Sequence, residues 1–281
     1  MINQQLSRFA THENSAYPQL WRGCVGAWCP SLGPSGSRLH DYSRRNNWGT
    51  LTNMDPATDW IVSGGAYALD FDGSNDNVQA NLVLSGRSTR LSVCCWAWLS
   101  STSLKGAFIR IGFTSGGNND GLMIGVGNTS MDTLGNNVIG GYEGLRWIAT
   151  GVAYGTGWHH VGMNVNGSGF PVIFLDGKQV YSDASGAMTA IGTFGGLTEL
   201  GGYNQPGFGG FPRYFAGYCD DFRVYDRELS PGEYSILARR RGIAFTPRAR
   251  RLAVTEQAAG GATPWLYARR RSQIIGAGGV H

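Results

Sequence analysis

Two carboxylates facing each other across a scissile bond would mark a glycoside hydrolase, one acting as nucleophile or base and the other as acid. On a strand they would recur at alternate positions, as in Glu-x-Asp-x-x-Glu. The 281-residue chain has no such run, and Glu13, Glu143, Glu199, Glu228, Glu233 and Glu256 stand apart from one another. The expectation is a chain that is not an enzyme. His159-His160 is the next candidate. Neighbours on a strand point to opposite faces, so this pair cannot chelate one ion, and no HExxH motif accompanies it. Packing or capping is the expected role. Asp72 and Asp76 could offer a cation hard oxygen ligands or could simply cap a turn. The segment YNQPGFGGFPRY contributes Tyr203, Asn204, Phe208, Phe211, Arg213 and Tyr214. Aromatic and arginine side chains on a Gly- and Pro-rich loop suit an interface, with either a glycan or a protein.

Arginine is the other concentrated chemistry. Residues 236–281 hold nine Arg against the single Glu256, whereas residues 1–235 hold 14 Lys and Arg against 18 Asp and Glu. The basic balance therefore belongs to the C-terminal tail, with Arg248, Arg250, Arg251, Arg269, Arg270 and Arg271. Such a tail fits nucleic acid, an anionic surface or an acidic protein. Trp265, Leu266, Tyr267, Ile274 and Ile275 are anchors that phosphate binding does not require. The reading is docking to protein, with nucleic acid the weaker alternative.

These side chains must be positioned by strands. The chain has 44 glycines, 15% charged residues and 42% apolar residues with nine tryptophans. That composition suits many short strands, frequent turns and a sizeable core. Strands are expected at 90–99, 107–113, 121–127, 138–141, 145–149, 158–165, 172–175 and 222–225. Asp176-Gly177 between two apolar runs predicts a two-residue hairpin. Ser230-Pro231-Gly232-Glu233 predicts a helix start, with Ser as cap, Pro in the first turn and Glu three residues on. Cys94-Cys95 in an alternating strand must face opposite sides. All five cysteines read as small core hydrophobes. The N-terminus lacks a basic start followed by an apolar run, and no stretch reaches a membrane-spanning length. The expected site of synthesis is a reducing cytoplasm.

Four stretches carry a family resemblance. They are VGAW at 25–28 with DYS at 41–43 and NWGTL at 47–51; ALDFDGSNDNV at 68–78; GWHHV at 157–161 with FLDGK at 174–178; and FAGYCDDFRVYDRELS at 215–230. In this order the chain resembles the laminin-G-like jelly rolls of the concanavalin A-like group. The resemblance implies an all-β, antiparallel two-sheet sandwich over residues 21–238. A 1–20 arm would precede it and a 239–281 tail would follow it, beyond one short helix. It also implies a structural calcium ion near the junction of the first loop and the last strand, where Asp41, Asn47 and Asp220 match. The tail looks like those of phage virion proteins. The implied role is therefore a non-catalytic, multi-copy capsid decoration or fibre component in the virion. It would contact other virion proteins or sister subunits, with cell-surface glycan binding as the alternative.

Overall fold

The computed structural model describes residues 9–82, 84, 90–111, 122–127, 138–142, 147–165, 170–182, 198–203 and 213–249. Strands β1 Cys24–Trp28, β2 Arg38–Leu39, β3 Gly49–Thr52, β4 Trp60–Ser63, β5 Ala66–Asp72 and β6 Asn77–Ala80 come first. They are followed by β7 Leu91–Leu99, β8 Gly106–Ile111, β9 Leu122–Gly127, β10 Val138–Tyr142 and β11 Trp147–Ala153. The last are β12 Gly157–Val165, β13 Pro171–Leu175, β14 Lys178–Ser182, β15 Thr198–Leu200 and β16 Ala216–Tyr225, ahead of helix α1, Pro231–Leu237. One sheet has the order β14-β13-β12-β7-β16-β5-β4, with β1 also on β16; the other has the order β11-β10-β9-β8-β15-β6-β3-β2. All pairings among these strands are antiparallel. The expected two-sheet sandwich is thus the observed one.

Strand alternation builds two cores. Leu91, Val93, Cys95, Ala97 and Leu99 of β7 point between the sheets, to meet Trp28, Phe71, Phe108, Met163 and Phe222. Cys94 points the other way, into a second apolar layer with Trp21, Phe174, Tyr234, Leu237 and Phe245. The two adjacent cysteines therefore part as their spacing requires, and all five cysteines are buried free thiols. Burial raises the Cys94 and Cys95 thiols far above their ordinary range, so neither is poised as a nucleophile.

Helix α1 covers the second layer. The Ser230 hydroxyl accepts from the Glu233 N–H at 3.3 Å, and the Glu233 carboxylate accepts from the Ser230 N–H at 2.9 Å. Arg227 then forks onto both oxygens of Glu233, at 2.6 and 2.9 Å. On the buried side Tyr234 stacks on Phe174 with ring centroids 4.0 Å apart. Below it the hairpin turns at Asp176 and Gly177, whose φ angles of 49° and 76° make the primed turn. The Asp176 carboxylate also accepts from the His160 N–H at 3.0 Å and meets His159 Nδ1 at 2.7 Å.

The flanks of the sandwich are more closely packed than their composition suggests. Leu20 and Trp21 on one side of the chain, and Ile243, Ala244 and Phe245 on the other, are buried in the second core. Residues 14–16 and 246–248 run antiparallel, with Ala16 N–H donating to Thr246 O at 2.8 Å, and before the turn at 12–14 Ala10 N–H donates to Phe245 O at 2.9 Å. Arg248 N–H donates back to Asn14 O at 2.9 Å, and Ser15 bridges Pro247. One unit therefore extends to Arg248, while Ala249–His281 forms a separate unit.

A buried charge cluster pins the C-terminal lead to β16. Asp221 sits at a bulge in β16 with φ 48°. One carboxylate oxygen accepts from Arg223 Nε at 2.8 Å and the other from the Gly242 N–H at 3.0 Å. The fully buried Arg223 guanidinium lies 5.0 Å from the Trp21 ring and 5.1 Å from the Phe245 ring.

Candidate functional site

The outward face of the second sheet carries a row of polar side chains fixed by register. Val78, Leu200, Ile109 and Ile124 face the core, so their neighbours along each strand face outward. Thr50 is opposite Gln79, Gln79 opposite Glu199, Glu199 opposite Arg110, and Arg110 opposite Met123. The row thus crosses β3, β6, β15, β8 and β9. An arginine inside the apolar strand GAFIRI and a glutamate inside TEL are tolerated because they pair with each other. Arg110 Nη1 donates to Glu199 Oε2, and the two side chains are only 10% and 13% exposed. Burial raises the Glu199 carboxyl, with Arg110 opposing the shift.

The Arg110 guanidinium lies 4.0 Å from the centroid of the Tyr203 ring, and that of Arg213 lies 5.6 Å from it. Cation–π contacts of this kind gain strength when desolvated. Burial pushes the Tyr203 phenol up to about 12 against the pull of both arginines. Backbone bonds hold the group: Arg213 N–H to Tyr203 O at 3.0 Å and Ala107 N–H to Arg213 O at 3.0 Å. Gly202, at φ 131°, brings the chain so near that a Cβ there would lie 2.5 Å from Tyr214 Cα.

This corrects part of the expected loop. Tyr203 and Arg213 are buried, because they pack under and beside Arg110 instead of facing solvent, while Tyr214 is half-buried. Asn204, Phe208 and Phe211 lie outside the described residues. Arg110, Glu199 and Gln79 were not singled out from the sequence. Their signal was a polar residue at one parity of an apolar strand, which becomes meaningful only once cross-strand register is known.

The expected calcium ligands do not fit a cation. Asp41 Oδ1 accepts from the Ala27 N–H at 3.0 Å and the Ser43 N–H at 2.9 Å. Its Oδ2 accepts from the Ser43 hydroxyl at 2.8 Å and the Asn47 N–H at 2.9 Å. Asn47 Nδ2 donates to Val25 O at 2.8 Å. Asp220 Oδ1 accepts from the N–H groups of Ser31 and Asp221, at 3.0 and 2.7 Å, and its Oδ2 lies 3.7 Å from Arg241 Nη1. Asp41 is thus surrounded by donors, which an anion needs and a cation repels, while the buried Asp220 Oδ2 faces the Arg241 guanidinium without a hydrogen bond. The second pair is used in the same way, Asp72 accepting from Ser74 and Asn75 and Asp76 from Asp72. Among the described residues, no group of three or more His, Cys, Asp and Glu is arranged to hold a metal ion.

His159 and His160 take opposite faces. His159 is half-buried beside Asp176 and Thr156 O, while His160 is buried against Trp96 and Tyr234. Of the docking residues expected in the tail, Arg248 alone is described, exposed at the pairing with Asn14. Arg250, Arg251, Trp265, Tyr267, Arg269, Arg270 and Arg271 lie outside the described residues. No helix among the described residues is long and apolar enough to cross a membrane.

A family model described as concanavalin A-like lectin/glucanases superfamily matches residues 72–234. Among solved structures, domain 4 of AbnA is similar, with 18% identity and a TM-score of 0.56, over 76% of this chain and 98% of that one. AbnA is a GH43 extracellular arabinanase from Geobacillus stearothermophilus, and its domain 4 was solved with arabinotriose. A botulinum neurotoxin type C structure, whose cell entry is tied to two ganglioside molecules, shares 16% identity at TM-score 0.53. It is matched over 78% of this chain and 51% of its own. Trypanosoma rangeli sialidase with the inhibitor DANA shares 14% identity at TM-score 0.52, over 76% and 32%. This chain therefore spans about half of the neurotoxin chain and a third of the sialidase. At these identities the likeness is one of fold. No curated protein matches by sequence.

Proposed function

The chain belongs to the concanavalin A-like lectin/glucanases superfamily, and from that membership we propose that it is a non-catalytic carbohydrate-recognition module. Its sugar-facing surface is the outward row Thr50–Gln79–Glu199–Arg110 with Tyr214 at its border. The observation that carries this reading is the buried Arg110–Glu199 pair set against Tyr203. It is a rigid, prepaired polar centre on an otherwise apolar sheet. Rigid donors and acceptors bordered by the half-buried ring of Tyr214 suit sugar hydroxyls and C–H faces. The arabinotriose bound by one similar fold and the gangliosides tied to another agree in kind. Hydrolysis would need a second carboxylate ~5–9.5 Å from the first. In this row the neighbour of Glu199 is an arginine, which favours binding over cleavage.

Glu199→Gln and Gln79→Ala are each expected to weaken glycan retention about tenfold, the worth of one charged or well-placed hydrogen bond. Glycan arrays followed by titration of the best ligand measure this. Retention equal to wild type in both variants would remove the sheet face as the site.

A second reading, that of a virion structural component displayed on its tail, draws on the pairing of residues 14–16 with 246–248. Residues 14–16 and 246–248 are held side by side, and the arginines from residue 250 onward would supply the anchorage. Removal of residues 250–281 is expected to preserve folding and abolish incorporation into particles, measured by co-purification. Unchanged incorporation would overturn it. A cut after Ala238 would not serve, since it deletes the buried Ile243–Phe245.

A further inference from the structure

The misfit between Asp41 and a cation points to the opposite charge. The four donors on Asp41 close the loop of residues 40–48 tightly enough to hold Arg44 and Asn46 at φ 68° and 59°. Left-handed backbone is unfavourable for residues with a side chain, and it persists where the surroundings over-determine it. Here the result is a firm loop that exposes Arg44, Arg45 and Trp48, the indole being 38% exposed.

A continuous chain of rings ties this loop to a cleft. Trp48 meets His40 edge-on at 4.3 Å, His40 meets Tyr42 at 4.4 Å, and Tyr42 meets Phe245 at 5.1 Å. Phe245 meets Trp21 at 5.1 Å, and His12 stacks on Trp21 at 4.7 Å. His12 and Trp21 line an open cleft of about 400 Å³ with Glu13, Pro18, Gln19 and Arg22. His12 is itself left-handed, at φ 53°, and its Nε2 is buried without a partner. Burial first, and then the charge of Arg44, hold this imidazole below its usual value, which places Arg44 within electrostatic reach of the cleft. Along the strip lie the exposed Arg22, Arg44 and Arg45, with Glu13 as the acid of the cleft lining. The Arg44–Glu13 contact is long, at 3.9 Å, with side chains 60% and 84% exposed, so it leaves most of the positive charge available.

We propose that the strip from Trp48 past Arg44 and Arg45 to the His12 cleft binds an acidic polysaccharide. Sugar rings rest on the exposed indole and in the cleft. The guanidinium groups pair with carboxylate, sulfate or phosphate substituents through parallel N–H bonds. Single-stranded nucleic acid fits less well. It needs successive open aromatic platforms, whereas Tyr42 is half-buried, and Phe245 and Trp21 are 2% and 4% exposed. The strip shares no residue with the sheet-face row, so the two sites fail or succeed separately.

The test is affinity electrophoresis of the full chain in gels containing polygalacturonate, dextran sulfate, neutral dextran or single-stranded DNA. Wild type is expected to be retarded by an acidic polysaccharide, less so at high salt, and not by neutral dextran. Retardation by polygalacturonate alone assigns carboxylate as the preferred substituent, and by dextran sulfate alone assigns sulfate. The double variant Arg44→Asn/Arg45→Ser, whose Asn tolerates left-handed backbone, and Trp48→Ala are each expected to lose about tenfold in affinity. Both should keep the wild-type Tm, and Gln79→Ala should keep the affinity. Unchanged affinity in the loop variants would assign any retention to the arginine tail and overturn the proposal. Tighter retention by DNA than by either acidic polysaccharide would overturn it as well.

Discussion

Asp221→Asn is expected to destabilise the fold by about 3–5 kcal/mol, the cost of leaving a buried charge without its partner. Asparagine keeps the size of the side chain and tolerates the φ of 48° at the bulge, so the change leaves the backbone in place and removes the charge together with one of the two acceptors that Arg223 and Gly242 use. Arg223 is fully buried, and its Nε donates to Asp221. Burial is the largest single influence and works against the guanidinium charge, and Asp221 leads the neighbouring groups that together outweigh it. Asp221 also receives the Gly242 N–H, so the same carboxylate fixes the start of the segment that buries Phe245. Thermal unfolding should show a Tm lower by roughly 10 °C for a domain of this size. The double variant Asp221→Asn/Arg223→Met should recover much of the loss, because an apolar pair avoids desolvating two ions. A loss below about 1 kcal/mol for the single variant, the range of an exposed pair, would mean that Arg223 finds another partner when Asp221 is neutral.

Acid should act through His160. Its ring is buried against Trp96 and Tyr234, and its Nδ1 has no partner. Burial lowers its pKa to about 4; Asp221 and Asp176 pull it upward and Arg223 pushes it further down. An unfolded histidine takes up its proton near pH ~6.5. Between that value and about 4 the unfolded chain binds a proton that the folded chain refuses. The contribution of His160 to stability is therefore complete above ~6.5 and is lost as pH falls toward 4, by on the order of 3 kcal/mol. Asp220, raised to about 7, and Asp76, raised to about 6, both chiefly by burial, tilt the curve the other way. The useful quantity is thus the difference between wild type and His160→Leu, in which both carboxyls cancel. That difference should shift toward the variant between about pH 7.5 and pH 4.5 in denaturant titrations. Parallel curves would mean that water or a rearranged side chain reaches Nδ1.

What could be read from the sequence was what is local. Asp176-Gly177 announced its turn because only a primed turn uses two positive φ angles in succession. Ser230 and Glu233 announced the helix because a capping box needs no distant partner. Cys94 and Cys95 parted because alternation is a property of the strand itself. Arg223, by contrast, lies in the expected strand FRVY, where no neighbour in sequence marks it as buried. Its burial depends on Trp21 and Phe245, some 200 residues away on one side and about 20 on the other. Asp41 was matched to a cation through the family resemblance, but a carboxylate in a loop fits two opposite uses. The N–H groups that decide between them come from strand β1 and from residues 43 and 47. Tyr203 and Arg213 were read as loop residues meeting a ligand, and the charge they answer to, Arg110, sits nearly 100 positions earlier. Side chains whose role is set by a distant partner carry no local mark of it.

The pairing of residues 14–16 with 246–248 has a mechanical consequence. The two segments meet in one short antiparallel seam. Tension applied between them would open that seam one hydrogen bond after another, a peeling geometry that yields at low force. The sheets would bear no strain until Phe245 left its socket beside Trp21. A module tethered by both ends could thus part at its seam under drag and re-form afterwards with its sandwich intact.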